Sequence, residues 1–476
     1  MSRDQLIQQA RHELDSGALA ATLARRVAWR TESDLGADAT EASRAALQGY
    51  LSEEMSPVLQ ALGFEVQILP NPVPGAGPFL LARRIEDPAA PTVLTYGHGD
   101  VVNGQTPQWR AGLDPWQLNV EGDRWYGRGT ADNKGQHSIN LSALAHTLQA
   151  RQQRLGYNLT VLLEMGEEAG SPGLAEFCQQ HREALRADLF LASDGPRVHA
   201  ERPTLFLGSR GAINFSLQVQ PRPRAYHSGN WGGVLSNPGT RVSHAVASLI
   251  GPQGEMRVAA LRPPAPPERL RQALHDLPVG GGSDDPDLSP GWGEPGLTPA
   301  ERLVGWNTLE VLGLGAGSAV RPINAIPASA VAHCQLRFVV GTDWRNAEKH
   351  LREHLDAHGF TDVRLEMGMS CAATRLALDN PWIDWALASM QASTGKPVSL
   401  LPNLAGSLPN DIFSEGLGLP TLWVPHSYPA CAQHAPNEHL LASVAREGLA
   451  LMAGLFWDLG EPGAPWRAGA LAQATA

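Results

Sequence analysis

Three short apolar runs constrain this chain more than anything else in it: TVLTY (92–96), LTVLLEM (159–165) and DLFLAS (188–193). Each is nearly continuous, without the polar alternation of a half-exposed strand. That is the pattern of strands buried on both faces, which belong to parallel sheets covered by helices on either side. Between the first two lies KGQHSINLSALAHTLQ (134–149), which puts Leu141, Leu144 and Leu148 on one helical face. Strands alternating with helices predict an α/β fold, a mainly parallel sheet sandwiched by helices. The pattern returns after residue 375, with PWIDWALASMQAS as helix and PTLWVP (420–425) as strand.

Between these stretches the texture changes. AINFSLQVQ (212–220) alternates apolar and polar residues as an antiparallel strand does. AVAHCQLRFVV (330–340) and DVRLEM (362–367) read as further strands, and WRNAEKHLREHLDAHG (344–359) as a helix. At 476 residues the chain exceeds what one hydrophobic core usually supports. We therefore expect an α+β domain at 208–371 inserted into a catalytic domain made of 1–207 and 372–476. Residues 252–305, rich in Pro and Gly, predict a long loop-bearing excursion within the insertion, and GEPGAPWRAGALAQATA at the end predicts a loose tail.

A formal charge of −11 argues against a nucleic-acid or anionic-membrane partner, since a phosphate surface calls for a basic one. The opening MSRDQLIQQARHELDSG lacks the apolar core of a signal peptide, and no run approaches the roughly 20 apolar residues of a membrane span. Cys178, Cys334, Cys371 and Cys431 lie far apart with no CxxC pair, which fits a reducing cytoplasm and small buried hydrophobes.

Each strand of the first part runs into a potential metal ligand. TVLTY leads to His98 and Asp100, LTVLLEM to Glu167 and Glu168, and DLFLAS to Asp194. Asp132 stands just before a helix start, and CAQHAPNEHL supplies His434 and Glu438. In open α/β sheets the carboxyl ends of the strands form the functional edge. Five segments thus aim imidazole and carboxylate at one edge, a mixture suited to zinc and similar divalent ions. Adjacent carboxylates such as Glu167 and Glu168 are tolerated in such a place only with positive charge nearby.

In this order, YGHGDVV, GRGTADNKG, EMGEEAGSPGL, SDGP and HAPNE resemble the aminoacylase, carnosinase and glutamate-carboxypeptidase family of dinuclear zinc exopeptidases. The resemblance runs from about residue 90 to 440. It implies two divalent ions, zinc first with manganese or cobalt able to replace it. It also implies that His98, Asp132, Glu168, Asp194 and His434 are the ligands, with Asp132 bridging. Asp100 is expected behind His98, fixing its ring. Glu167 is expected to stay free as the general base toward a water that the metals activate. A cis peptide is implied at Asp132–Asn133. AYHSGNWGGVLSNP maps His227 onto the family's transition-state-stabilising histidine, which reaches the partner subunit's site. The resemblance also implies a homodimer through the inserted lid domain, for which AINFSLQVQ offers an edge. Arg337 and Asn324 match residues holding the substrate carboxylate and oxyanion, and Gly406 and Ser407 in LAGSLPNDIF match a carboxylate loop. Ala405, Leu408, Asn410 and Asp411 depart from that loop's usual pattern. His426, His439 and Glu438 are expected to be structural.

The leading function is hydrolysis of the amide bond of dipeptides or short peptide-like substrates beside a free carboxylate. N-acyl-amino-acid deacylation is the alternative within the family, and the long insertion favours the carnosinase side. A two-metal phosphoesterase would want cationic phosphate clamps beside the metals, and none accompanies these motifs. A metal-binding but non-catalytic protein would be expected to lose Glu167 or His227, and both are present.

Overall fold

The structure, a computed structural model, describes residues 1–33, 40–281 and 285–466. Its largest element is an eight-stranded sheet. In spatial order the strands are Glu65–Leu69, Phe79–Arg84, Asn158–Glu164, Thr92–His98, Leu189–Ala192, Thr421–Trp423, Thr204–Phe206 and Ser399–Leu401. The four from Asn158–Glu164 to Thr421–Trp423 are mutually parallel, so their carboxyl ends lie on one edge.

Successive residues of these strands enter opposite cores, as the pleat requires. Val93, Leu159, Val161, Leu191 and Leu422 face one side, under the helices Arg3–Asp15, Lys134–Ala150, Pro381–Thr394 and Ala442–Leu459. Leu94, Tyr96, Leu162, Phe190 and Trp423 face the other, with Phe177 and Cys178 of the helix Leu174–Gln180. The helix expected over 134–149 forms at Lys134–Ala150, but it is buried nearly all round instead of along one face. The helices Arg3–Asp15, Ala18–Val27 and Ala442–Leu459 all pack against it, leaving only Gln149 exposed and Ser142, Ala145 and His146 partly so.

A second sheet has its own core. Its order is Thr308–Ala316, Ala330–Phe338, Gly211–Val219 and Arg364–Cys371, antiparallel throughout, with Pro238–Leu249 and Ala347–Ala357 packed on it. AINFSLQVQ is therefore an interior strand, not the edge. The two edges are Arg364–Cys371 and Thr308–Ala316, and on the latter, called the outer edge below, Val311, Leu312 and Leu314 are 41%, 61% and 57% exposed. Two crossings join the sheets side by side, with Thr374 N–H donating to Ser209 O and Leu376 N–H to Leu207 O.

The Pro- and Gly-rich excursion at 252–305 is not a free loop, and it does not stay with the second sheet. Met256, Val258 and Leu261 enter that sheet's core, but Leu270, Leu274, Ala300 and Val304 enter the core of the eight-stranded sheet. Asn403 Nδ2 donates to Val304 O at 2.8 Å. The excursion has enough apolar residues at helical spacing, in Glu268–Leu274 and Pro299–Val304, to bury a face, and that burial pulls it across. The expected loose tail is corrected in part: Trp466 stacks near Tyr157 and edge-on to Trp382, and the remainder, 467–476, lies outside the described residues. Among the described residues no helix is long and apolar enough to cross a membrane.

Candidate metal centre

The parallel strands deliver their following residues to one place. His98 ends its strand, Glu167 and Glu168 follow Asn158–Glu164 through a tight turn, and Asp194 follows Leu189–Ala192. Gly170 and Gly173, at φ of 87° and 80°, supply the left-handed conformations that close the turn after the glutamates. Asp132 arrives on the loop before Lys134–Ala150. That loop lies so close to the helix that a Cβ on Gly135 would stand 1.9 Å from Thr130 O. His434 arrives from downstream because His439–Leu441 pairs antiparallel with Arg124–Tyr126, laying one loop beside the other. The Asp132–Asn133 peptide is cis.

Two groups of ligand-type atoms result, and they share Asp132. His98, Asp132 and Asp194 form one; Asp132, Glu168 and His434 form the other, the donor atoms of each lying within 4.8 Å of one another. His98 Nε2 lies 2.9 Å from Asp132 Oδ1, and His434 Nε2 lies 3.0 Å from both Asp132 Oδ2 and Glu168 Oε2. Glu167 belongs to neither group, its Oε2 standing 4.0 Å from His98 Nε2. Asp100 is fully buried and works at two places. Its Oδ1 and Oδ2 accept the N–H groups of Glu167 and Glu168, and Oδ1 lies 3.4 Å from His98 Nδ1.

The site is short of positive charge. Burial raises the pKa of Glu168 to about 7 and of Asp194 to about 6, the charge of Asp132 adding to each. Burial raises Glu167 well above the usual carboxylate range, with Asp194, Glu168 and Asp132 contributing. Hydrogen bonds to Asp132 and Glu168 lift His434 to about 11. Asp132 itself is held low: burial opposes this, but hydrogen bonds from His434 and His98 outweigh it. Buried carboxylates pressed together in this way call for cations. Asp194 Oδ2 makes the same point geometrically, being buried with no hydrogen-bond partner. Imidazole nitrogen and carboxylate oxygen in three-membered groups around a shared aspartate fit a pair of divalent ions.

Glu438, expected from the sequence as structure or as support behind the ligands, braces this site. Glu438 is buried against Arg128 at 2.8 Å and accepts N–H groups from Gly129, Ala131 and Asp132, so it clamps the aspartate loop. Its place four residues after His434 was the available signal. Ala432, His434 and Asn437 are left-handed without being glycine, a conformation costing about 1–3 kcal/mol each that persists only where surroundings enforce it. Gln433, between two of them, donates from Nε2 to Asp132 Oδ2.

A cleft of about 630 Å³ opens over Asp132, Glu167, Glu168, Asp194 and His434, and the second sheet supplies its other wall. Arg337 lines it, donating from Nη1 to Ser407 Oγ at 2.7 Å and from Nε to Gln335 Oε1 at 2.8 Å. Gly406 and Ser407 line it too, and buried Arg210 fixes their loop by donating to Ala405 O. Asn324 is not beside Arg337. It is exposed, its carbonyl accepts from Ser228 N–H, and so it neighbours His227. His227 is exposed on a two-stranded ribbon, its Nδ1 accepting from Gly229 N–H, and it is not among the residues that line the cleft.

Comparison with known proteins agrees with this geometry. Residues 94–458 match the model of peptidase family M20/M25/M40. The chain is 34% identical over 193 residues to the Beta-Ala-His dipeptidase of Mus musculus, a match taking in 40% of this chain and 38% of that protein. It thus spans about two fifths of the length of the first curated relatives it matches. The Cys-Gly metallodipeptidase dug1 of Schizosaccharomyces pombe is 27% identical over 395 residues, 76% of this chain and 79% of that one. Among solved structures, human carnosine dipeptidase 1 superposes with a TM-score of 0.77 at 22% identity, covering 96% of this chain and 100% of the other. A metallo-carboxypeptidase from Sulfolobus solfataricus gives 0.76 at 22%, covering 92% and 98%.

Proposed function

The chain belongs to peptidase family M20/M25/M40, and from that premise we propose that it hydrolyses the amide bond of dipeptides or short peptides next to a free carboxylate, using two divalent ions, zinc first. The observation that carries this reading is the pair of ligand groups sharing Asp132, with Glu167 beside them and outside both.

His98, Asp132 and Asp194 would hold one ion, and Asp132, Glu168 and His434 the other. When bound, such ions acidify a water and polarise the carbonyl it attacks. Glu167 takes the proton of that water and delivers it to the nitrogen of the leaving amine, a task open to it because it is spent on no ligand group. Asp100 makes this division possible. By accepting both backbone N–H groups it fixes the turn so that the two glutamate side chains diverge. Arg337, steadied by Gln335 and Ser407, takes the substrate's carboxylate with its remaining donors.

The inserted sheet is read as a lid that also pairs copies of the chain, with 1–207 and 372–476 as the catalytic body and 208–371 as the insertion, part of whose excursion packs back on that body. Thr308–Ala316, not AINFSLQVQ, is the edge suited to pairing, because its apolar residues are exposed. A homodimer built there would let His227 and Asn324 serve the cleft of the second copy. The four free cysteines suit a cytoplasmic setting.

The test is a mass-spectrometric screen of zinc-loaded protein against mixed dipeptides and N-acyl amino acids. Cleavage of dipeptides with a free carboxylate, lost on chelation, is the expected result. Exclusive cleavage of N-acyl amino acids would move the chain to the deacylases, and turnover in metal-free protein would end the mechanism.

A further inference from the structure

Where the inserted sheet faces the 404–412 loop, the cleft holds two opposite charges. Arg337 is one, bonded to Ser407. Asp411, four residues along the same loop, is the other and also lines the cleft. Cys371, at the end of Arg364–Cys371, pairs with Ala212, whose other strand partner is Arg337, and the next residue, Ala372, gives its N–H to the Asp411 carboxylate. Burial pushes its thiol pKa up, a hydrogen bond from Ser407 and the Arg337 charge pull it down, and the Asp411 charge pushes it up again. Strand pairing thus sets Cys371 beside the position of Arg337 on one side and beside the residue bonded to Asp411 on the other.

Asp411 has no charged partner of its own among the described residues: no Lys, Arg or His nitrogen forms an ion pair with it. Burial and the neighbouring Glu415 raise its pKa, while the backbone N–H groups of Asp411 itself, Ile412 and Ala372 bond to its carboxylate and lower it. Glu415 is drawn outward toward Arg345, at 3.7 Å. A half-buried carboxylate facing a cleft in this way is stabilised by any cation brought to it. Met369, Leu408 and Ile412 line the same cleft and offer apolar surface for a methylene stem.

We propose that Asp411 selects a cationic side chain on the substrate residue whose carboxylate Arg337 holds, so that the preferred peptides end in lysine or arginine. The proposal rests on the role given to Arg337 above. A residue seated with its carboxylate on Arg337 extends its side chain across Cys371 toward Asp411. Its aliphatic stem then meets the apolar wall and its head the carboxylate. The charge pattern is complementary to an amino acid bearing one anionic and one distal cationic end.

The experiment measures calorimetric binding of free L-lysine, L-norleucine and Nε-acetyl-lysine to the full chain, beside hydrolysis of Ala-Lys and Ala-norleucine by the zinc-loaded form. Norleucine is lysine without its amine. We expect lysine to bind about tenfold or more tightly than either neutral ligand, and Asp411→Asn to bring it within about twofold of norleucine. Equal binding of lysine and norleucine by the wild type would overturn the proposal, and so would a lysine preference that survives Asp411→Asn. The acetyl-lysine comparison needs no variant and stands even if the substitution disturbs the turn. Selective lysine binding with neither dipeptide hydrolysed would remove the hydrolase reading and leave the role of Asp411. Equal binding together with equal hydrolysis would remove Asp411 alone.

Discussion

The carboxyl edge of the eight-stranded sheet and the outer edge of the four-stranded sheet both carry chemistry, but in opposite states of completion. At the first, His98, Asp132 and Asp194 are almost wholly buried, and each side chain is set by a named neighbour. At the second, Leu312 stands in solvent, as do Val320 (89% exposed) and Ile323 (74%) in the segment that follows the strand, and His227 and Asn324 on and beside the two-stranded ribbon. Groups that need burial to act are finished within the chain in one region and left bare in the other. On the function proposed above, the difference means that the ligand-type groups are assembled within one chain, while the cover over the substrate would be completed by a second copy.

The sharpest way to break that contrast is at Asp132. Because both ligand groups use it, Asp132→Ala should empty both, lowering kcat by about 10³-fold or more. Metal analysis should fall well below two ions per chain, and retention of one tightly held ion would show that the groups are independent. Glu167→Gln comes next, with kcat down by about 10²–10⁴-fold and metal content unchanged. Metal lost in step with activity would mean that Glu167 is a ligand after all.

In the exposed region, on the two-stranded ribbon, His227→Ala should cost about 10²-fold with both ions in place. Mixed with Glu167→Ala and allowed to exchange subunits, it should regain up to roughly a quarter of wild-type activity by random pairing. Verified exchange with no recovery would put His227 back in its own subunit and dissolve the comparison. The mildest effect is expected from Leu312→Asp. An exposed edge residue contributes little to the fold, so unfolding free energy should move by no more than about 0.5 kcal/mol, while sedimentation shifts toward monomer. A dimer that survives this change pairs elsewhere.

That the ligand-type residues would gather at one sheet edge was largely legible because the information is local. Each apolar run announces a buried strand, and the ligand sits within a few residues of its end, as with Thr92–His98 and Asn158–Glu164. The lid's arrangement was not, because strand order depends on partners far along the chain. AINFSLQVQ looks alike whether it is an edge or an interior strand, and only its pairing on both sides decides. The true edge, TLEVLGLGA, went unread since Gly313 and Gly315 dilute the strand pattern and a bulge at Val311/Gly313 shifts its register. The excursion's apolar residues were masked by proline and glycine around them. Arg337 and Asn324 were paired by the family resemblance, and the fold sends one into the cleft and the other to the ribbon beside His227.

The order in which the eight strands take their places bears on how this protein is born. Thr421–Trp423 inserts beside Leu189–Ala192, and the helix Arg3–Asp15 packs on Ala442–Leu459, tied by Arg3 to Asp458 at 2.8 Å. The four-stranded sheet is drawn wholly from residues 211–371, so a ribosome can release it ready to fold while the larger sheet still lacks an interior strand. At about 5–20 residues per second, His434 emerges roughly 3–13 s after that sheet is complete. During that interval Leu189–Ala192 presents an unpaired apolar edge, the kind of surface that chaperones cover. A nascent chain that has not yet exposed His434 would therefore lack one member of the second ligand-type group, whatever the state of the four-stranded sheet.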